Sequence, residues 1–185
     1  MPVLHLETFV FPDDIFAEEA DWDIANRWWV LHTKPRAEKA LARRMHASDI
    51  SFFLPCFERS RSGRRGTASS YLPLFPGYFF LKGTHDDRLA ALATDLVVSS
   101  LTVADPFRLH TELNRVHRLL AAPSPLHPES RLRPGTLVEI IAGPLSGLTG
   151  TLVRKGKQTR FFVEVEMLRR GVSIELEDWM FRPVN

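Results

Sequence analysis

The chain has 185 residues and is 44% hydrophobic, which is enough apolar material for the core of one domain or two small ones. Its single cysteine, Cys56, excludes an intrachain disulfide and a cysteine-rich zinc site. No apolar run approaches the roughly 20 residues that a membrane-spanning helix needs. The first Lys or Arg is Arg27, so the start of the chain lacks the basic region of a signal peptide, and we expect a soluble, cytoplasmic protein.

Charge is distributed unevenly along the chain. Residues 1–26 hold seven of the 22 acidic residues and no Lys or Arg, which gives them a net charge of −7. The other residues carry 24 basic and 15 acidic groups, a net charge of +9. A basic body is typical of a protein with a polyanionic partner. The acidic residues of 1–26 alternate with aromatic ones, so we expect a flexible extension that is loose alone or lies against the basic body.

Regular structure is predicted from Arg27 onwards. The run Arg27–Thr33 is rich in β-formers and predicts a strand. We expect Thr33 to cap a helix over residues 36–47, in which apolar residues recur at helical spacing. Three basic residues share another face of this helix: Arg36, Lys39 and Arg43.

A second strand is predicted over residues 51–58, followed by an arginine-rich and glycine-rich run over residues 59–69. That run contains no acidic residue and predicts a flexible hairpin tip. Arginines on a flexible loop can contact phosphates without a fixed geometry, so we predict nucleic-acid contacts at this tip. The residues concerned are Arg61, Arg64 and Arg65.

The run Tyr71–Phe80 is aromatic and apolar, but two prolines and a glycine interrupt it. This pattern predicts two strands joined by a kinked turn over residues 74–77. Because of the kink, some of the rings cannot face the same core. An apolar ring that is forced towards water is a candidate docking surface. The alternative is that Phe75 and Tyr78 pack beneath the turn.

The rest of the first half predicts a short helix near residues 86–94, a strand over residues 97–103 and a helix over residues 109–122. Together with the preceding strands, these elements predict an α+β fold whose N-terminal domain is an α/β sandwich, with helices on an antiparallel sheet.

Three prolines fall within residues 123–131 and predict an extended linker. From residue 132 onwards, short β-rich runs are separated by turns. Five such strands fit a small β-barrel, which leaves no bare edge. We therefore predict two domains, over residues 27–122 and 132–185, after the extension of residues 1–26.

Three stretches now carry a resemblance to a known family. Residues 132–150, LRPGTLVEIIAGPLSGLTG, resemble a KOW motif. Residues 28–36, WWVLHTKPR, and residues 73–80, PLFPGYFF, are similar to the two hallmark stretches of the NGN domain in NusG-type transcription elongation factors. The resemblance extends from Arg27 to the C-terminus and leaves out residues 1–26.

The resemblance implies a transcription elongation or antitermination factor. In that family an apolar NGN surface docks on the clamp helices of RNA polymerase and thereby suppresses pausing or termination. Carried onto this sequence, the docking surface comprises His32, Phe75, Pro76, Tyr78 and Phe80. In specialised members a basic face near the first helix contacts the non-template DNA strand, and its counterparts here are Lys34, Arg36, Lys39 and Arg43.

The resemblance also implies a second partner for the KOW domain, either a small-subunit ribosomal protein or the termination factor Rho. The residues that fall where that contact is made are Leu145, Leu148 and Leu168. The acidic extension and the arginine-rich hairpin favour a specialised, RfaH-like member over a general factor. RfaH stores its second domain as a helical hairpin, whereas the β-rich runs here favour the barrel; propensity leaves the helical alternative open.

One alternative function is an RNA-binding, ribosome-associated KOW protein that makes no polymerase contact, which predicts a salt-dependent affinity for RNA. An enzyme is disfavoured. The seven histidines show no metal-binding or carboxylate-paired spacing, no phosphate-binding glycine motif is present, and Cys56 lies in an apolar run. We expect no catalytic activity, metal, cofactor or membrane contact, and a monomeric protein.

Overall fold

The computed structural model describes residues 8–17, 27–63, 66–122, 126–130, 135–155, 158–176 and 180–184. Its helices are α1 Glu38–Ala47, α2 His85–Leu92 and α3 Pro106–Leu120. The strands of the first half are β1 Val10–Phe11, β2 Arg27–Thr33, β3 Phe52–Phe53, β4 Cys56–Gly63, β5 Gly66–Pro73, β6 Tyr78–Gly83 and β7 Val97–Leu101. Those of the second half are β8 His127–Ser130, β9 Thr136–Ile140, β10 Thr149–Lys155, β11 Gln158–Val165, β12 Arg170–Glu175 and β13 Phe181–Pro183.

The first half is built on a five-stranded antiparallel sheet with the strand order β1-β3-β6-β2-β7. One face of this sheet buries Leu31, Phe79 and Leu81 in a core that also holds Leu41 and Met45 of α1. Helix α1 contributes these residues because they recur at helical spacing along one side. The predicted α+β class, with helices on an antiparallel sheet, is confirmed.

The other face of the sheet is aromatic. In the strand register, Phe80 of β6 lies between Val30 of β2 and Phe53 of β3. On this face the ring of Phe16 stacks on Trp28, with centroids 5.8 Å apart, and meets Phe53 edge-on at 5.1 Å. Offset and edge-on ring pairs of this kind add to the burial of apolar area.

Residues 8–17 take a defined place in this unit and differ from the loose segment expected from composition. Strand β1 pairs with β3, and the backbone N–H of Leu54 donates to the carbonyl of Phe9 at 2.7 Å. Ile15 is only 4% exposed, and its carbonyl accepts a hydrogen bond from Lys82 Nζ at 3.3 Å. The apolar residues between the acidic ones are therefore part of the core.

The predicted cap of the first helix is wrong. Thr33 is buried and remains in β2. Its backbone N–H donates to the carbonyl of Gly77 at 2.9 Å, which holds it in the strand. Helix α1 begins only at Glu38, after Arg36, whose φ of 62° lies in the left-handed region. A tertiary hydrogen bond has therefore overridden the local capping signal.

The hairpin β4–β5 forms its own two-stranded sheet, paired without interruption from Cys56↔Pro73 to Gly63↔Gly66. The predicted flexible tip over residues 59–69 is thus a regular ladder for most of its length. Pro55 separates this ladder from the short β3, where a single strand over residues 51–58 was expected.

The second half contains a six-stranded antiparallel sheet with the order β13-β9-β10-β11-β12-β8. The five strands predicted after residue 132 are present as β9 to β13. The sixth, β8, lies inside the predicted linker and pairs with β12 from Arg170↔Ser130 to Ser173↔His127. Phe161 and Phe162 of β11 are both buried, although neighbouring residues of a strand point to opposite faces of the sheet.

The chain divides into two compact units, Met1–His110 and Thr111–Asn185, and the division falls within α3. The domain boundary predicted from the prolines lies later, at residues 123–131. No described helix is long and apolar enough to cross a membrane.

Deleting residues 1–17 removes β1 and the side chains of Ile15 and Phe16 from the first unit. We expect the free energy of unfolding to fall by at least about 2 kcal/mol, since removing one buried Ile or Phe side chain costs about 2–5 kcal/mol. Urea unfolding followed by tryptophan fluorescence measures the change. A deletion of residues 1–7, which keeps β1, is the control; equal midpoints for the two deletions would show that residues 8–17 contribute no packing energy.

His110 gives the first unit a pH dependence. Its Nδ1 accepts a hydrogen bond from Trp28 Nε1 at 3.1 Å, and burial, with a smaller contribution from Lys82, lowers its pKa from 6.5. Because the unfolded chain binds this proton more readily, the free energy of unfolding should fall as the pH drops below about 6.5 and level off below the folded pKa. His110→Gln should weaken this dependence, and an unchanged pH profile in that variant would contradict it; denaturant midpoints between pH 5 and 8 measure it.

Candidate functional site

The turn between β5 and β6 is fixed by backbone hydrogen bonds. The N–H of Leu74 donates to the carbonyl of Pro55 at 2.7 Å, and the N–H of Tyr78 donates to the carbonyl of Phe75 at 3.0 Å. Gly77 has a φ of 85°, in the left-handed region that favours glycine. The interruption seen in the sequence is therefore a specific turn, as predicted.

Gly77 is joined to two other elements through both of its backbone polar atoms. Its carbonyl accepts from the N–H of Thr33 at the end of β2, and its N–H donates to Oε1 of Glu38 at 2.8 Å. Glu38 begins α1 and is only 5% exposed. The turn, the end of β2 and the start of α1 therefore hold fixed positions relative to one another.

Three predicted docking residues meet at this turn. His32 and Tyr78 are opposite each other on β2 and β6, and their ring centroids are 5.6 Å apart. His32 and Pro76 are exposed, and Tyr78 is half-buried. Gly77 lies beside them, where an added Cβ would be 3.5 Å from Nε2 of His32. We call His32, Pro76 and Tyr78 the turn surface.

The other two predicted docking residues do not reach the surface. Phe75 is 1% exposed and Phe80 is 0% exposed. Their rings meet edge-on with centroids 5.9 Å apart. Phe80 is buried because it lies in the middle of the sheet between β3 and β2, and Phe75 packs on it. Of the two readings of the turn, the buried one holds for Phe75.

The basic candidates start beside the turn surface. Lys34 and Arg36 lie in the connection from β2 to α1 and are exposed, and Lys39 and Arg43 lie one turn apart on α1. Lys34 Nζ is 2.8 Å from Oδ1 of Asp95, and this contact lowers the pKa of the Asp95 carboxyl.

The N-terminal segment reaches the same helix. The ammonium group of Lys39 lies 5.8 Å from the centroid of the Phe9 ring. The ring of Phe11 meets His46 edge-on at 4.7 Å. Part of residues 8–17 therefore lies against α1, in agreement with one of the two expectations for the extension.

The arginines of the hairpin are only partly placed. Arg61 belongs to β4, opposite Ala68 of β5. Arg64 and Arg65 lie outside the described residues.

In the second unit, the three leucines predicted to bind a partner are buried rather than exposed. Leu145 and Leu148 lie in the loop before β10, and Leu168 ends the 3₁₀ turn Glu166–Leu168. Residues of α3 bond to both loops. The backbone N–H of Glu166 donates to Oε2 of Glu112 at 3.1 Å, and Nη2 of Arg118 donates to the carbonyl of Ser146 at 3.0 Å.

Two residues that shape the site were not predicted. Glu38 is the acidic residue at the start of an otherwise basic helix, and Asp95, in the turn after α2, pairs with Lys34. As a lone acidic residue within a basic stretch, Glu38 could have been recognised from the sequence. No comparable signal marked Asp95. Within the described ranges no group of three or more His, Cys, Asp or Glu residues could hold a metal ion.

Comparisons with known proteins give a family match. A family model described as "Transcription termination factor nusG" matches residues 26–128, more than half of the chain. A comparison with curated proteins found no match. A solved structure titled "Domain interaction in Thermotoga maritima NusG" is 17% identical, with a TM-score of 0.48, and the match covers 88% of this chain and 99% of that one. One titled "Crystal Structure of MjSpt4:Spt5 complex conformation B" is 18% identical, with a TM-score of 0.27, over 85% of this chain and 97% of that one.

Replacing Glu38 by Ala should leave the half-buried N–H of Gly77 without its acceptor. We expect a loss of about 1–3 kcal/mol in the free energy of unfolding, the range for removing a hydrogen bond to a charged group. Glu38→Gln removes the same charge but keeps an oxygen acceptor, so its loss should be smaller. Urea midpoints measure both variants, and equal losses would mean that the bond to Gly77 contributes nothing.

Proposed function

The chain belongs to the NusG family of transcription factors, and we propose that it is an elongation or antitermination factor that docks on the clamp helices of RNA polymerase through its turn surface. The observation that carries this proposal is the double attachment of Gly77, which holds the rings of His32 and Tyr78 beside an exposed Pro76. No catalytic activity and no cofactor are part of the proposed function.

The rigidity of the turn surface supports a docking role. Side chains that are already ordered lose little conformational entropy on binding, and aromatic residues dominate the binding energy of protein interfaces. Phe75 and Phe80 pack beneath the surface and act as its support instead of as contacts. This revises the five-residue docking surface to three contacting residues above two buried ones.

Docking affects transcription through a population shift. A factor that spans the cleft binds the closed clamp better than the open one and favours the closed state by that difference in affinity. The closed clamp resists pausing, so the expected effect is suppression of pausing or termination.

The basic residues beside the turn surface are proposed to contact the non-template DNA strand. The hydrogen bond from Gly77 to Glu38 places the start of α1 next to the turn, so nucleic acid bound along this helix lies close to the docked polymerase. The contributing residues are Lys34, Arg36, Lys39 and Arg43, with Arg61, Arg64 and Arg65 of the hairpin as a further set. Phosphate contacts of this kind are salt-dependent and independent of sequence.

The second unit is proposed to recruit another protein, either a small-subunit ribosomal protein or Rho. The proposed contacts, Leu145, Leu148 and Leu168, are buried beside loops that bond to Glu112 and Arg118 of α3. A partner that binds these leucines must first gain access to side chains that are buried here. We further propose a cytoplasmic, monomeric protein.

Binding of the full chain to bacterial core RNA polymerase tests the docking proposal. Tyr78→Asp places a charge in the interface and should weaken binding at least about tenfold, since loss of an interface hot spot costs about 2 kcal/mol or more. Biolayer interferometry with immobilised polymerase measures the affinities.

Tyr71→Asp is the matched control, because Tyr71 is an exposed aromatic residue on β5, the strand that precedes the turn in the chain and lies in a different sheet from β6. It should bind polymerase as the wild type does. Equal affinities for the wild type and Tyr78→Asp would contradict docking through the turn surface. If no variant binds polymerase while the wild type binds RNA, the ribosome-associated interpretation takes its place.

A further inference from the structure

Two guanidinium groups lie against one indole ring at the end of β2 farthest from His32. The Cζ atoms of Arg27 and Arg88 are 4.1 Å and 5.0 Å from the ring centroid of Trp29. Arg27 and Trp29 are two residues apart on β2 and therefore share a face of the sheet, which Arg88 approaches from α2. We call these three residues the Arg–Trp–Arg cluster.

Neighbouring strands hold the cluster in place. Nε1 of Trp29 donates to the carbonyl of Gly83 on β6 at 3.0 Å, and Nε of Arg88 donates to Oγ of Ser100 on β7 at 3.1 Å. The bond to Ser100 uses one of the five donors of the Arg88 guanidinium. Cations held by an aromatic ring and a hydrogen bond have lost most of their side-chain freedom before any ligand arrives.

The carboxylate of Asp87 on the same helix is engaged by Thr84. Oδ2 of Asp87 accepts from both the N–H and the hydroxyl of Thr84 at 2.8 Å, within the capping box of α2. Arg27 is exposed and Arg88 is half-buried, so an anion can approach from solvent.

We propose that the Arg–Trp–Arg cluster binds the phosphate backbone of a nucleic acid, as a contact separate from α1 and the hairpin. The planar fork of a guanidinium matches the oxygens of a phosphate. Trp29 orients the two guanidinium groups, and a contact made to phosphates does not depend on base sequence.

The location makes this a second site. Arg27 and His32 are five residues apart on β2, which corresponds to about 17 Å at the rise of a strand. The basic residues of α1 start at the His32 end, whereas the cluster lies at the other end. The proposal does not rest on docking to polymerase, and its test needs no polymerase.

The test compares the wild type with the double variant Arg27→Gln/Arg88→Gln, using a fluorescein-labelled 20-nucleotide single strand and the corresponding duplex. Fluorescence anisotropy gives the affinity at several NaCl concentrations. We expect the double variant to bind roughly tenfold more weakly at low salt. Loss of two phosphate contacts should make the slope of log affinity against log salt shallower by about 1.4 for the single strand or about 1.8 for the duplex.

The control is Arg108→Gln/Arg182→Gln, which removes the same charge from two exposed arginines outside the cluster. It should change the slope much less than the cluster variant does. Thermal unfolding verifies that both variants are folded. The proposal is overturned if the two double variants give equal slopes, or if the wild type binds neither probe.

Discussion

The first unit depends on the two hydrogen bonds that hold Gly77. Its carbonyl accepts from Thr33 and its N–H donates to a buried Glu38 carboxylate, so one residue of a turn connects β2, β6 and α1. The left-handed φ of Gly77 makes these bonds possible at little conformational cost. The pairing of β2 with β6 holds the rings of His32 and Tyr78 opposite each other, and the two bonds of Gly77 fix the turn with Pro76 beside them.

Local patterns in the sequence were sufficient for the elements but not for their contacts. Strand β2 and most of α1 follow from β-formers and helical spacing, and the turn at Gly77 follows from its prolines and glycine. Burial of Phe75 could not be predicted, because it depends on the ring of Phe80, which the sheet brings into place. Thr33 and residues 8–17 differ from expectation for the same reason: tertiary hydrogen bonds and packing outweigh local capping and composition.

The sequence predicted where the candidate site lies, but not which of its residues are exposed. His32, Pro76 and Tyr78 do meet at the turn, and the basic residues do start beside it. Glu38, which accepts from the N–H of Gly77, and Asp95, which pairs with Lys34, were not predicted, because both contacts join residues far apart in the sequence. The three leucines of the second unit are buried. Sequence patterns therefore identified the loops that carry them, but not the exposure of their side chains.

Photo-crosslinking is the most direct measurement of the central claim, that the turn surface docks on polymerase. A photoreactive phenylalanine analogue placed at position 78 is irradiated with core RNA polymerase, and position 71 serves as the comparison. If the turn surface docks on polymerase, adducts form in the clamp helices from position 78 and few or none form from position 71. Adducts elsewhere on polymerase, or equal yields from both positions, would contradict it.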